Sequence, residues 1–114
     1  MNIYGIGTDI VSVDRMKNSL KNKKFIERVF NKKEIFKCKK INSSINCFAK
    51  RFAAKEAFSK AIGTGISNGI NFNEIVVLNK NSGKPYINLI GQTKKILDKK
   101  FKKKKNKNFG VSFR

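Results

Sequence analysis

The stretch from Ser43 or Ser44 to Ile62 most limits how this chain can fold. A serine at its start can cap free backbone N–H groups, and Gly63 at its end suits the left-handed conformation that closes a helix. The span predicts the longest helix of the sequence, with apolar residues nearly all round it. A chain of 114 residues is one domain's worth, with room for one modest core and little for a second module. Hydrophobic residues make up 39% and charged residues 30%, which places the chain in the soluble globular class. Apolar runs such as Ile75-Val76-Val77-Leu78 are far too short to span a bilayer. No basic segment precedes an apolar one at the N-terminus, so a cytoplasmic protein without a secretory signal is expected.

Shorter elements flank the long helix. Residues 3–13 read as a strand, and a short helical stretch leads from Asp14 toward Leu20. Residues 23–29 predict another turn or two of helix. Asn31 followed by Glu34 predicts an N-cap with its reciprocal partner, opening a helix to about Lys39. Glycines 63, 65 and 69 mark a loop. Phe72 to Leu78 and Pro85 to Ile90 predict two strands, joined as a hairpin by the turn Asn81-Ser82-Gly83-Lys84. Gly91 to about Lys105 reads as a helix with Ile96, Leu97 and Phe101 as its apolar stripe, and residues 109–113 as a last short strand. Strands and helices without strict alternation favour the α+β class.

Cys38 and Cys47 stand nine positions apart in a chain with no histidine. That spacing fits no zinc signature, and two free thiols in a reducing compartment are expected. The net charge is +20, from 27 Lys and Arg against 7 Asp and Glu. Either a polyanionic partner or the Lys, Asn and Ile bias of AT-rich coding accounts for it. The lysine run over residues 94–107 is more simply a solvated face than a docking patch.

With so few acids, two in apolar settings stand out. Asp9 lies inside the first predicted strand, on the face shared by Ile3, Val11 and Val13. A carboxylate there must be paired, hydrogen-bonded or metal-bound. The alternative is an Asp that ends the strand early and accepts backbone N–H groups. On the long helix, Ile45, Phe48, Ala49, Phe52 and Ala53 fall on an arc centred near Glu56, with Lys60 one turn later. The alternative for Glu56 and Lys60 is an ordinary i,i+4 pair. Together Asp9 and Glu56 would make an all-oxygen site, which suits Mg²⁺ and the phosphate oxygens that complete its shell. Lys60 and Arg51 would add positive charge for the same phosphates.

Several segments then carry a resemblance. Gly5-Ile6-Gly7-Thr8-Asp9-Ile10-Val11, Arg15, Arg51-Phe52-Ala53-Ala54-Lys55-Glu56-Ala57-Phe58-Ser59-Lys60-Ala61, Gly63-Thr64-Gly65-Ile66 and Gly83-Lys84-Pro85-Tyr86 resemble, in order and spacing, the bacterial holo-[acyl-carrier-protein] synthases of the phosphopantetheinyl transferase superfamily. The resemblance implies the fold of that superfamily: a small antiparallel sheet against a long central helix, assembled as a homotrimer with sites between subunits. It implies Mg²⁺-dependent transfer of the 4′-phosphopantetheine arm of coenzyme A to a serine of an acyl carrier protein, for fatty acid biosynthesis. Asp9 and Glu56 match the metal ligands, and Lys60 a catalytic lysine on the phosphates. Glu56, directly or through a metal-bound water, would also help remove the serine proton. Arg51 and the Gly83-Lys84-Pro85 turn match positions that hold the nucleotide, and Arg15 matches one that grips the acidic carrier. The family's segment with two histidines corresponds to Gly110-Val111-Ser112-Phe113-Arg114, which has neither, and its final strand is unmatched.

Two rivals differ in class. A nucleic-acid-binding module would use the lysine run with Phe101 and Phe109, but has no need of acids on inner faces. An inactive member of the family would bind carrier protein without modifying it. Neither nucleic acid nor membrane is expected as a partner.

Overall fold

The computed structural model describes residues 13–63 and 69–102. Five helices and one hairpin are present among them. Residues 13–19 form α1, followed by α2 (Lys23–Val29), α3 (Lys32–Lys39) and α4 (Ser44–Ile62). A 3₁₀ turn, Phe72–Glu74, leads into β1 (Ile75–Asn79), which pairs with β2 (Pro85–Leu89) before α5 (Gly91–Lys102). The hairpin is antiparallel, with Ile75 opposite Leu89 and Val77 opposite Ile87.

Local chemistry sets most boundaries. The Asn22 side chain accepts from the N–H groups of Lys24 and Phe25 and starts α2. Asn31 and Glu34 close the expected capping box on α3. Gly63, at φ 71°, ends α4 in the left-handed region. The exposed end of that helix gains a second cap, because Lys100 Nζ donates to the Ile62 carbonyl at 2.9 Å. Ser43 occupies the N-cap position of α4, but its side chain makes no capping bond.

Several expectations are corrected. The strand predicted over 3–13 does not reach Val13, which is already helical; residues 1–12 lie outside the described residues. The strand predicted from Phe72 begins only at Ile75. The first three residues coil into a 3₁₀ turn, which lets the Glu74 carboxylate cap α5. Glu74 accepts from the N–H of Gln92 at 3.1 Å, and from the N–H and Oγ1 of Thr93 at 3.0 and 2.7 Å. A Cβ on Gly91 would collide with that carboxylate. The cysteines are not free: a disulfide joins Cys38 in the last turn of α3 to Cys47 in the first turns of α4. Contact between the two helices brings the Cα atoms of the two cysteines to 5.4 Å, the normal span for such a bond. Spacing in sequence gave no warning of it. The strand expected over 109–113 falls outside the described residues.

Burial alone would raise the Glu74 pKa, but its hydrogen bonds from Thr93, Asn71 and Gln92 outweigh that and hold it below the ordinary 4.5. A depressed carboxylate stabilises the fold above its unfolded value, and that contribution disappears as pH falls through the folded value. The thermal midpoint should therefore drop below about pH 4.5. Glu74→Ala should cost about 1 kcal/mol near neutral pH, as loss of a helix cap does, and should flatten the acid limb. An unchanged acid limb in a thermal melt series would count against this role.

The core runs between α4, α2, α3 and the hairpin. Phe30, Phe48, Ile70, Ile75 and Leu97 are buried in it. Aromatic contacts link three elements: Phe30 meets Phe48 edge-on at 4.9 Å, Phe25 meets Phe52 at 6.3 Å, and Phe52 meets Phe72 at 5.9 Å. Burying a phenylalanine of this kind contributes roughly 1.5–3 kcal/mol. Phe101 is partly buried against the core, which limits the surface it could offer for stacking on nucleic acid.

Candidate active site

The long helix is organised by a charge the sequence reading passed over. Lys55 is completely buried, and its Nζ donates to Glu34 Oε1, the Phe72 carbonyl and the Ile75 carbonyl, each at 2.7 Å. Three donors meet three acceptors, as an ammonium requires. Burial lowers the Lys55 pKa and the Glu34 carboxylate opposes the shift. Glu34, equally buried, accepts from the Val77 N–H at 2.9 Å with its other oxygen. The pair thus occupies the edge of β1 away from β2, taking an N–H and a carbonyl that a neighbouring strand would otherwise bond. It ties α3, α4, the 3₁₀ turn and β1 together at one point.

This anchor corrects the wheel argument for Glu56. The deeply buried side of α4 carries Cys47, Phe48, Arg51, Lys55, Phe58, Ser59 and Ile62, while Ala49, near the start of the helix, is the buried residue on the Glu56 side. Glu56 follows Lys55 and stands about 100° further round the helix, and it is exposed, as are Ala53 and Lys60. The arc that contains Glu56 is therefore not the main core face. It is the border of a cleft of about 370 Å³ lined by Phe25, Arg28, Phe52, Glu56, Ile70 and Phe72 among others. The ordinary Glu56–Lys60 pair does not form: the ion pairs among the described residues are Lys55–Glu34 and the exposed Lys94–Asp98. Glu56 is left as an exposed acid on the lining of a cleft with aromatic walls, and the exposed Arg28 lines the same cleft.

The other predicted residues fall in three places. Arg15 is exposed on α1, next to the buried Met16. Gly83, Lys84 and Pro85 form the exposed tip of the hairpin, where Gly83 takes φ 92°. Arg51 is only 7% exposed. Its Nη2 donates to Asn79 Oδ1 at 2.9 Å and its Nη1 to Cys47 Sγ at 3.4 Å. Burial pushes its pKa down, against the pull of Glu34. Asp9 lies outside the described residues. Among the described residues no cluster of three or more acids, cysteines or histidines could hold a metal. Nor is any described helix long and apolar enough to cross a membrane.

Sequence reasoning missed Lys55, Arg28, Phe25 and Asn79. Glu34 was read only as a capping partner. The one available signal was Lys55 itself, a charge on a helix whose other residues leave little polar face.

Fold and site together define an α+β protein with a small antiparallel sheet, a long helix and an exposed acid beside an apolar cleft. Comparison with known proteins narrows the class. A model of the 4′-phosphopantetheinyl transferase superfamily matches residues 5–113, and the chain belongs to that family. It is 52% identical over 102 residues to the holo-[acyl-carrier-protein] synthase of Pelagibacter ubique, covering 90% of this chain and 80% of that one. It is 49% identical over 92 residues to the synthase of Buchnera aphidicola subsp. Schizaphis graminum, covering 79% and 73%. Among solved structures, the holo-[acyl-carrier-protein] synthase of Neisseria meningitidis superposes with a TM-score of 0.70 at 32% identity, over 78% of this chain and 73% of that one. The acyl carrier protein synthase of Plasmodium yoelii, solved with ADP bound, gives 0.61 at 35% identity, over 77% and 69%.

Proposed function

We propose that the protein transfers the 4′-phosphopantetheine arm of coenzyme A to a serine of an apo-acyl carrier protein, giving the holo-carrier and 3′,5′-ADP. The observation that carries the site assignment is Glu56: a carboxylate without an ion-pair partner among the described residues, on the lining of an apolar cleft, on a helix anchored one residue earlier. The activity itself follows from the family and from relatives named as holo-[acyl-carrier-protein] synthases.

The donor chemistry available to a metal is hard oxygen, from Glu56 and Asp9, and no histidine exists to compete. That set fits Mg²⁺, which would supply Lewis-acid polarisation of the coenzyme A diphosphate when bound. Glu56 accepts the proton of the carrier serine as the serine oxygen forms its bond to the β-phosphorus. The bond from that phosphorus to the oxygen of the departing 3′,5′-ADP breaks in the same displacement. Lys60, exposed one turn beyond Glu56, stabilises charge on the phosphate oxygens. The hairpin tip at Gly83, Lys84 and Pro85 borders the nucleotide end, with Arg51 behind it. Arg15 and the general excess of positive charge steer an acidic carrier protein toward the site. Cytoplasmic location, homotrimeric assembly and service to fatty acid biosynthesis complete the proposal.

Mass spectrometry tests the reading directly. Incubating apo-carrier protein with the chain, coenzyme A and Mg²⁺ should add the mass of the arm to the carrier. A folded protein that binds the carrier but adds no mass would identify an inactive family member and overturn the assignment.

A further inference from the structure

The Arg51 guanidinium is held at both ends of its fork, and one end leads out of the core. Nη1 donates to Cys47 Sγ, one turn earlier on α4. Nη2 donates to Asn79 Oδ1 at the last position of β1. Asn79 then passes the connection on, because its Nδ2 donates to the Gly83 carbonyl at 2.9 Å. Within the turn, the Gly83 N–H donates to the Lys80 carbonyl at 2.8 Å, and the Lys80 N–H to the Lys84 carbonyl at 2.9 Å. Gly83 sits at φ 92°, a conformation open to few other residues, so its backbone depends on these bonds for its orientation.

We propose that Asn79 is a positioning residue for coenzyme A: it couples the buried Arg51 to the Gly83 carbonyl and so sets the hairpin tip that receives the nucleotide end. This rests on the reading that the Gly83-Lys84-Pro85 turn borders that nucleotide. The physical reason is the contrast in anchoring along the chain of bonds. Arg51 is buried and its base is tied to a disulfide-linked turn, whereas Ser82, Gly83 and Lys84 are exposed and otherwise held only by bonds within the turn. The Asn79 amide is the side-chain link between the two. It uses its acceptor toward the rigid side and its donor toward the exposed one, which neither a carboxylate nor an apolar side chain can do.

Two variants separate the halves of this link. Asn79→Leu removes both bonds. Asn79→Asp keeps an acceptor for Arg51 but places a carboxylate oxygen against the Gly83 carbonyl, so only the outer bond is lost. Both should raise KM for coenzyme A by about tenfold, leave kcat and the KM for carrier protein within about twofold, and weaken binding of adenosine 3′,5′-bisphosphate measured by calorimetry without carrier present. Asn79→Gln, which retains donor and acceptor, should recover part of the affinity. Lys84→Ala is the control on the underlying reading. If Lys84→Ala weakens nucleotide binding while both Asn79→Leu and Asn79→Asp bind it as the parent does, the positioning role is wrong. If none of the three alters nucleotide binding, the turn does not border the nucleotide and the reading beneath the proposal fails with it. A uniform loss of kcat and of affinity for both substrates would reduce Asn79 to a general structural role and overturn the proposal as well.

Discussion

Glu56→Gln is expected to lower the rate of arm transfer by a factor of about 10²–10⁴, the range for removing a positioned proton acceptor. The substitution is nearly isosteric. Glu56 is exposed and has no ion-pair partner among the described residues, so the fold loses little by it. The thermal midpoint should therefore stay within about 3 °C of the parent, as is usual for surface changes of about ±0.5 kcal/mol. The activity that remains should require more Mg²⁺ for half-saturation, because a neutral amide oxygen is a poorer ligand than a carboxylate. Steady-state transfer rates across a Mg²⁺ titration, beside a melt of the same sample, read both effects. Full activity in Glu56→Gln would remove the residue from the site.

The largest effect on stability is expected one residue earlier. Lys55→Met keeps the length of the side chain and removes its charge. Glu34 is then a fully buried carboxylate without its cation, and the carbonyls of Phe72 and Ile75 lose their donor. Breaking a buried pair by removing one partner costs about 3–5 kcal/mol, a large part of the stability of a domain this size. Adding Glu34→Gln to Lys55→Met should recover part of the loss, since a neutral amide can still accept from the Val77 N–H and no charge is stranded. Urea denaturation of the two single variants and the double variant gives the coupling energy. A cost under about 1 kcal/mol for Lys55→Met would mean that water reaches Glu34 and the pair is not the anchor described. The two experiments also separate roles that adjacent residues of one motif could blur: Glu56 should affect rate and not folding, whereas Lys55 should affect folding first.

Several elements were legible because their causes are local. Asn31 and Glu34 lie three residues apart, so the capping box can be recognised in the sequence, and α3 begins where it predicts. Gly63 ends α4 because a residue without a Cβ takes the left-handed conformation there at little cost. The hairpin was visible in its two β-rich runs and the intervening glycine turn. The family was legible in the spacing of its motifs, and the match over residues 5–113 agrees.

The tertiary structure alone decided which charge on α4 enters the core. Lys55 and Glu56 are neighbours on a helix with little polar face, and helical periodicity cannot choose between them. The choice depends on Glu34, 21 positions earlier, and on two carbonyls well downstream that together offer acceptors for an ammonium but nothing for a second carboxylate. The disulfide and the Asn79 link are of the same kind. Each joins groups that only the packing of α3, α4 and the hairpin brings within reach, whereas around Lys55 and Glu34 burial also removes the water that would compete for their bonds.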